Sequence, residues 1–411
     1  MSRILALYFF ALLAAGPVFA QTHSIGSVVA YRPIPGGISG RTAGAIFEVR
    51  AWEDGIIRVR VSKNPGWREF SYALLSPLPP APPPVKVVEQ DGRILLSTSL
   101  VTVAIDKAPS FRVTFSDTNG EVINEDMPGN GMGTTFIGDK VSIYKRLQAG
   151  ERFVGLGEAL GNLDKRGTGV TLSNTDNYKY GDPRVPMYSS IPFFIGIHHH
   201  QLYGLFFHNT YRTFFNFGLS TPDLASINAD GGDADYFLCY GASIGEILQR
   251  YTSLTGRMPL PPLWSLGYHQ SRCSYYPQSN VEWIAQTFRR KQIPIDCIVL
   301  DADYLQDYEP FRINTGRFPD MPGLAARLKA LNIELTASVN PGIKLDSTYP
   351  ANADGLKKDV FLKYSDGRPF VSEMAPSINH YVDFTDPGAR NWWIDNLKFL
   401  PDNGKIGRAH V

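Results

Sequence analysis

Two carboxylates, Asp301 and Asp303, close the apolar run Ile295-Asp296-Cys297-Ile298-Val299-Leu300. They end the buried strand that starts at Ile295, and side chains at i and i+2 of a strand point to one side. A carboxylate at such a position can accept hydrogen bonds from adjacent sugar hydroxyls, ligate a metal, or pair with an arginine, and the residue types alone leave all three open. The segment Asn340-Pro341-Gly342-Ile343-Lys344 follows the next apolar run, so Asn340 and Ile343 reach toward the same end. Tyr268, His269, Arg272, Tyr275 and Tyr276 follow the preceding one. Flat aromatic faces interleaved with polar groups suit a sugar ring, and they suit equally an aromatic-rich loop packed on a neighbouring domain.

These residues need strands to hold them. Ile295–Leu300 reads as a strand covered on both faces. Ile333–Val339 reads as the next, and Trp264–His269 as a short one before them. Between them, Ser279-Asn280-Val281-Glu282 has the capping-box spacing, with Val281, Ile284, Ala285 and Phe288 following at helical intervals. Leu324, Leu328 and Leu331 mark a second helix, and Asp386–Leu400 a third anchored by Trp392, Trp393 and Leu397. Strand and helix in alternation predict a parallel α/β layer. Strand starts about 30 to 40 residues apart fit the units of a (β/α)8 barrel, whose active sites lie at the C-terminal ends of the strands. About three units fit before the sequence ends, too few to close a barrel.

From Gln21 to Gly256 the chain reads instead as short strands with regular turns, a large β-sandwich. Ile56-Ile57-Arg58-Val59-Arg60-Val61 alternates apolar and basic, predicting a half-buried strand after the Asp54-Gly55 turn. Asn119-Gly120 predicts a hairpin between Phe111–Phe115 and Val122-Ile123. The proline-dense stretch 77–84 belongs on the surface.

Composition bounds the function. In 411 residues, Lys+Arg 40 against Asp+Glu 39 excludes a global basic footprint for nucleic acid. Three cysteines exclude a disulfide scaffold. Cys297 suits a buried small hydrophobe, and Cys239 and Cys273 pair only if the fold brings them together. Met1–Ala20 has the form of a secretory signal peptide: Arg3, the apolar run Ile4–Ala15, the break Gly16-Pro17, and Val18-Phe19-Ala20 before a cut. The mature protein is then expected in a periplasm or outside the cell, without a membrane span.

Two motifs carry little. Gly155-Leu156-Gly157-Glu158-Ala159-Leu160-Gly161 places its third glycine one position too late for a dinucleotide loop. His198-His199-His200 reads as a hairpin tip, because adjacent strand residues alternate faces and so do not converge on a metal.

The chain resembles glycoside hydrolase family 31, the retaining α-glucosidases, α-xylosidases and their relatives. The resemblance runs through most of the chain. It rests on Phe153–Glu158 and Tyr188–Phe193, then Pro261–Tyr268, Ile293–Asp296, Asp301-Ala302-Asp303-Tyr304, Arg317-Phe318-Pro319, Asn340–Lys344, Asp383–Pro387 and Trp392-Trp393. It implies that Asp301 binds hydroxyls of the sugar being cleaved, that Asp176 is a loop aspartate sent into the site by the β domain, and that Ile343 is an apolar wall. It implies an oligosaccharide or glycoside substrate and no metal or cofactor. Cys273 and Ala375 stand where the family usually carries aromatics, and Asn340 where an aspartate is common, so the sugar pocket is expected to be wider or to take a different sugar. Retention needs two carboxyls about 5 to 5.5 Å apart. The family's nucleophile and acid/base aspartates come later than this chain reaches, so neither role falls on Asp301, Asp303 or Asp176, and the fragment is expected to be inactive.

The expected organisation is thus a signal peptide over 1–20, a galactose mutarotase-like β-sandwich over 21–256, and the first part of a (β/α)8 TIM barrel over 257–405. Residues 406–411 back-translate to a common sequencing adapter and are expected to be read-through of library DNA. An α-transglycosylase and a non-catalytic carbohydrate-binding or sensing protein are the rival functions.

Overall fold

The computed structural model describes residues 22–402 and 407–409, apart from 68, 77, 80, 130, 136–137, 176–184 and 375. The leader and Asp176 lie outside the described residues. Two compact units divide between Met258 and Pro259.

The first unit is a sandwich of two antiparallel sheets, of eleven and eight strands. The eight-stranded sheet runs in the order Arg152–Gly157, Ser190–His198, Gln201–Phe207, Ala234–Tyr240, Ile56–Ser62, Ile46–Glu53, Gly37–Thr42 and Val28–Ile34. The predicted hairpins form: Arg112–Ser116 pairs with Val122–Asp126, and His199 and His200 take left-handed φ values of 40° and 67° at a tip. Between the sheets lies a core of Phe47, Phe111, Phe115, Phe153, Phe207, Phe215 and many aliphatic neighbours.

That core contains charge. Lys145 and Asp126, both on the eleven-stranded sheet, pair at 2.7 Å with side chains 4% and 0% exposed. The ammonium also donates to Tyr236 Oη of the facing sheet at 3.1 Å and lies 5.4 Å from the Phe115 ring. Burial pushes the pKa of Lys145 below its usual value, against the pull of Asp126. Asp126 Oδ2 accepts the Val113 amide at 2.8 Å, so the carboxylate also serves the backbone.

The strand Ile56–Ser62 departs from expectation. Every residue in it is buried, not every second one. Arg58 forms two hydrogen bonds with Asp235 at 2.9 and 2.7 Å, and Arg60 lies 3.2 Å from Glu48 and 4.3 Å from the Trp67 ring. Paired charge and aromatic cover replace the water that an alternating pattern predicts.

The second unit holds four parallel strands in the order His269–Gln270, Cys297–Leu300, Glu334–Ser338 and Gly407–Ala409. Helices Gln278–Arg290 and Met321–Ala330 connect the first three. Val281, Ile284, Ala285, Leu324 and Leu328 turn inward as their spacing predicts, and Trp392, Trp393 and Leu397 of the helix Pro387–Leu397 join the same core. Cys297 is buried, Cys239 is buried, Cys273 is exposed, and all three are free thiols.

Three local expectations are corrected. Leu263–Leu266 is a 3-10 turn opened by Pro262, not a strand. It stops at Gly267, where an added Cβ would fall 2.0 Å from Asp296 Oδ2, the atom that accepts the Tyr268 amide at 3.1 Å. The helix expected to begin at Ser279 has Pro277 at its N-cap instead. Glu282 is turned outward, accepting from Gln278 at 3.1 Å and from Arg327 at 2.8 Å, so no capping box forms. After Val339 the chain adds an antiparallel sheet, Gly342–Lys344, Ser377–Tyr381 and Val371–Met374, together with a helix Pro350–Lys357, neither expected from the sequence. No helix among the described residues is long and apolar enough to cross a membrane.

Removing the counter-charge of Lys145 should be costly, because it leaves a desolvated ammonium. Asp126→Ala is expected to lose about 3 to 5 kcal/mol of stability in denaturant unfolding, and Lys145→Met added to it should recover much of that loss. Equal unfolding midpoints for Asp126→Ala and the unmutated protein would refute the role given to the pair.

Candidate active site

The candidate site lies at the C-terminal ends of the parallel strands. The strand Cys297–Leu300 stops one residue before Asp301, whose φ of −89° and ψ of 176° keep it extended. The chain then turns into a 3-10 segment, Ala302–Tyr304, which Asp301 caps: its Oδ1 accepts the Ala302 amide at 2.7 Å. Asp301 is half-buried, and its other carboxylate oxygen has no protein partner among the described residues.

The turn separates the two aspartates. Asp303 is not on the strand face that Asp301 would share with it, and its carboxylate is engaged within the protein. It accepts from Ser274, from Arg317 Nη1 at 2.9 Å and from Tyr308 Oη at 3.2 Å. The Ser274 hydroxyl, followed by Arg317 and Tyr308, holds the Asp303 carboxyl below the usual aspartate range, against the upward push of burial. Arg317 Nη1 also donates to the Asp303 carbonyl at 3.0 Å, and its guanidinium lies 4.3 Å from the Tyr276 ring. Asp303 thus joins the loop after the first strand to the loops that follow the second.

Tyr304 makes the next tie. It is buried, and its hydroxyl donates to the Ser338 carbonyl at the end of the third strand at 3.1 Å. Lys344 donates to the Asp307 carbonyl at 3.3 Å, and Tyr349 donates to the Pro310 carbonyl. These contacts pin a loop in which Asp307, Tyr308 and Phe311 all have left-handed φ, from 50° to 73°. Side chains with a Cβ rarely adopt such angles, so they persist only where neighbours impose them.

Ile343 lies in the antiparallel sheet and is fully buried in the second unit's core. Asn340 is half-buried in the turn before it. The aromatic group splits. Tyr275 is buried and bonded by Gln270, while Tyr268 and Tyr276 are exposed. His269 stacks on Trp264. Asp176 and Ala375 lie outside the described residues. Arg317, Ser274, Tyr308 and Tyr304 were not singled out as site residues from the sequence, although Arg317 and Tyr304 stand inside the motifs that carry the family resemblance.

Chemically this is one carboxylate presented for hydroxyl hydrogen bonding, backed by a second that is saturated by protein donors. An open hollow of about 430 Å³ lies elsewhere, lined by Asp354, Lys358, Asn391 and Trp392 among others. There Trp392 Nε1 and Lys358 Nζ both donate to Asp354 Oδ2, at 2.7 and 2.9 Å, so its carboxylate is already occupied. Among the described residues no group of three or more His, Cys, Asp or Glu is arranged to hold a metal ion.

Comparison with known proteins agrees with this architecture. Residues 46–216 match the glycosyl hydrolase 31 N-terminal galactose mutarotase-like domain, and residues 258–407 match the glycosyl hydrolases family 31 TIM-barrel domain. The chain belongs to glycoside hydrolase family 31, and its second unit is the start of that family's TIM barrel. It is 37% identical over 364 residues to alpha-glucosidase 2 of Bacillus thermoamyloliquefaciens, covering 88% of this chain and 46% of that protein. It is 29% identical over 262 residues to an alpha-xylosidase of Emericella nidulans, covering 63% of this chain and 33% of the other. A Flavobacterium johnsoniae GH31 dextranase, solved in complex with glucose, superposes with a TM-score of 0.85 at 26% identity, over 94% of this chain and 48% of that one. The chain spans about half the length, or less, of these relatives.

Arg317→Met should remove the ion pair and the contact with Tyr276, costing about 1 to 2 kcal/mol at neutral pH for a partly exposed group. Because the folded-state pKa of Asp303 is depressed, its stabilisation is present above the ordinary aspartate range and fades as pH falls through the depressed value. The melting-temperature gap between the unmutated protein and Arg317→Met is therefore expected to narrow between pH 7 and pH 3. A gap that stays constant or widens would count against the pair.

Proposed function

We propose that this chain supplies the sugar-binding side of an exported retaining α-glycosidase, one that hydrolyses O-glycosidic bonds of α-glucosides, α-xylosides or related sugars. The observation that carries the reading is Asp301 at the end of a barrel strand, where such enzymes place their active sites, with one carboxylate oxygen that has no protein partner among the described residues. The family of the chain supports it, as do relatives named alpha-glucosidase, alpha-xylosidase and dextranase. Asp301 is assigned to hydroxyls of the sugar being cleaved, with Asp176 and Ile343 as a further ligand and an apolar wall. Asp303 is assigned no contact with substrate, because Ser274, Tyr308 and Arg317 already engage its carboxylate. The nucleophile and the acid/base are assigned to no residue of this chain.

A bond from a sugar hydroxyl to a carboxylate is worth about 1.5 to 3 kcal/mol, and it tightens as the ring flattens toward the oxocarbenium-like transition state. In the protein carrying the whole barrel, Asp301→Asn should lower kcat/KM for an aryl α-glycoside roughly ten- to a few-hundred-fold with little change in melting temperature. Unchanged kcat/KM would refute the binding role. A lowered melting temperature with unchanged activity per folded molecule would make Asp301 purely a cap.

Export rests on the pattern Arg3, Ile4–Ala15 and Val18-Phe19-Ala20. Amino-terminal sequencing of the protein expressed with its own leader should begin at Gln21. An intact Met1 on a soluble cytoplasmic product would overturn it.

A further inference from the structure

The sandwich holds a constellation that sugar chemistry does not use. Ser71 Oγ lies 2.6 Å from His208 Nε2, and His208 Nδ1 lies 2.9 Å from Asp235 Oδ2. Asp235 is buried and held by two hydrogen bonds from Arg58. Burial alone would raise its pKa, but Arg58 and then His208 outweigh it and keep the carboxyl ionised far below the usual range. An ionised carboxylate only accepts, so His208 Nδ1 must donate to it. Ser71 Oγ already accepts two backbone amides, which leaves its own proton to donate to His208 Nε2 in the neutral imidazole. The imidazole is also fixed in space, 5.8 Å from the Phe206 ring and 6.2 Å from the Phe237 ring.

We propose that Ser71, His208 and Asp235 form an acyl-transfer site that cleaves short-chain carboxylic esters, independent of the proposed glycosidase function. Serine, base and orienting carboxylate stand in the order and at the distances such chemistry requires. Ser71 is partly exposed and flanked by Phe70 and Tyr72, both well exposed and in edge-to-face contact at 4.6 Å. They supply exposed apolar surface next to Ser71 in the chain, suited to the apolar groups of an ester.

Ser71 Oγ attacks the acyl carbonyl carbon while its proton passes to His208 Nε2. The imidazolium returns that proton to the departing alkoxide, which leaves as the alcohol. A water molecule, deprotonated by the same nitrogen, then attacks the acyl-serine, releasing the carboxylic acid and restoring the hydroxyl. Ester and water give acid and alcohol, with no other reactant. The amides of Ala73 and Leu74 point at Ser71 Oγ from 3.0 and 3.1 Å. Both bond to Oγ itself, so one must let go as Oγ takes the acyl carbon, and the released amide is the donor at hand for the oxyanion. Asp235 acts only through His208 and is a positioning residue.

The alternative is that Ser71 merely closes its own turn. The test treats the folded chain with a fluorophosphonate probe and maps the adduct by peptide mass spectrometry. The proposal expects the adduct at Ser71, absent after heat unfolding and slower by roughly a hundredfold in His208→Gln. Hydrolysis of 4-nitrophenyl acetate should fall to the His208→Gln level in Ser71→Ala, with circular dichroism reporting that the fold is kept. Labelling spread over other serines with none favoured, an unlabelled Ser71, or His208→Gln labelled at the unmutated rate would each overturn it. Because the labelling is read on the unmutated chain, a Ser71→Ala variant that fails to fold leaves the test intact.

Discussion

The mouth of the parallel sheet depends on the Asp303 carboxylate being saturated. Three donors from different stretches, Ser274, Tyr308 and Arg317, converge on it. The same loops hold Ser274, Asp307, Tyr308 and Phe311 in left-handed conformations, which each cost on the order of 1 to 3 kcal/mol without support from neighbours. The Gln278 amide also donates to the Arg317 carbonyl at 2.9 Å, so the two loops meet through backbone as well as side chain. Asp301 uses one oxygen for local capping, and among the described residues the other has no protein partner. The two aspartates divide the work: one fixes the frame, the other faces outward.

The sandwich solves a related problem with charge inside. Lys145 and Asp126, Arg58 and Asp235, and Arg60 and Glu48 are pairs that lie between or beneath aromatic rings. Such pairs add little net stability compared with apolar side chains of similar volume, but breaking one is expensive. They specify which strands meet: Lys145 reaches Tyr236 of the facing sheet, and Arg58 reaches across to Asp235 on the adjacent strand.

What the sequence revealed and what it hid follow one physical division. The strand Cys297–Leu300, the helices around Val281, Leu324 and Trp392, and the tips at Asn119-Gly120 and His199-His200 rest on local periodicity or local turn chemistry, and they were legible. Arg58 and Arg60 were misread as solvent-facing because their partners lie elsewhere in the chain: Asp235 is 177 residues from Arg58. The Ser279-x-x-Glu282 pattern failed because Pro277 already opens the helix and Arg327 claims the glutamate. The aspartates at 301 and 303 were placed on one strand face because nothing local shows that the strand ends at Leu300. The added sheet around Gly342 was missed because Ile343 and His380 meet only through long-range pairing.

The pairing of Ala234–Tyr240 with Ile56–Ser62 sits in the middle of the eight-stranded sheet, with Ala234 opposite Val61. At about 5 to 20 residues per second of synthesis, a gap of this length delays the second strand by roughly 10 to 35 seconds after the first. The seam that joins the two halves of the sheet therefore cannot close before Ala234–Tyr240 has been made, and its closure spans the longest stretch of chain of any pairing in the sheet.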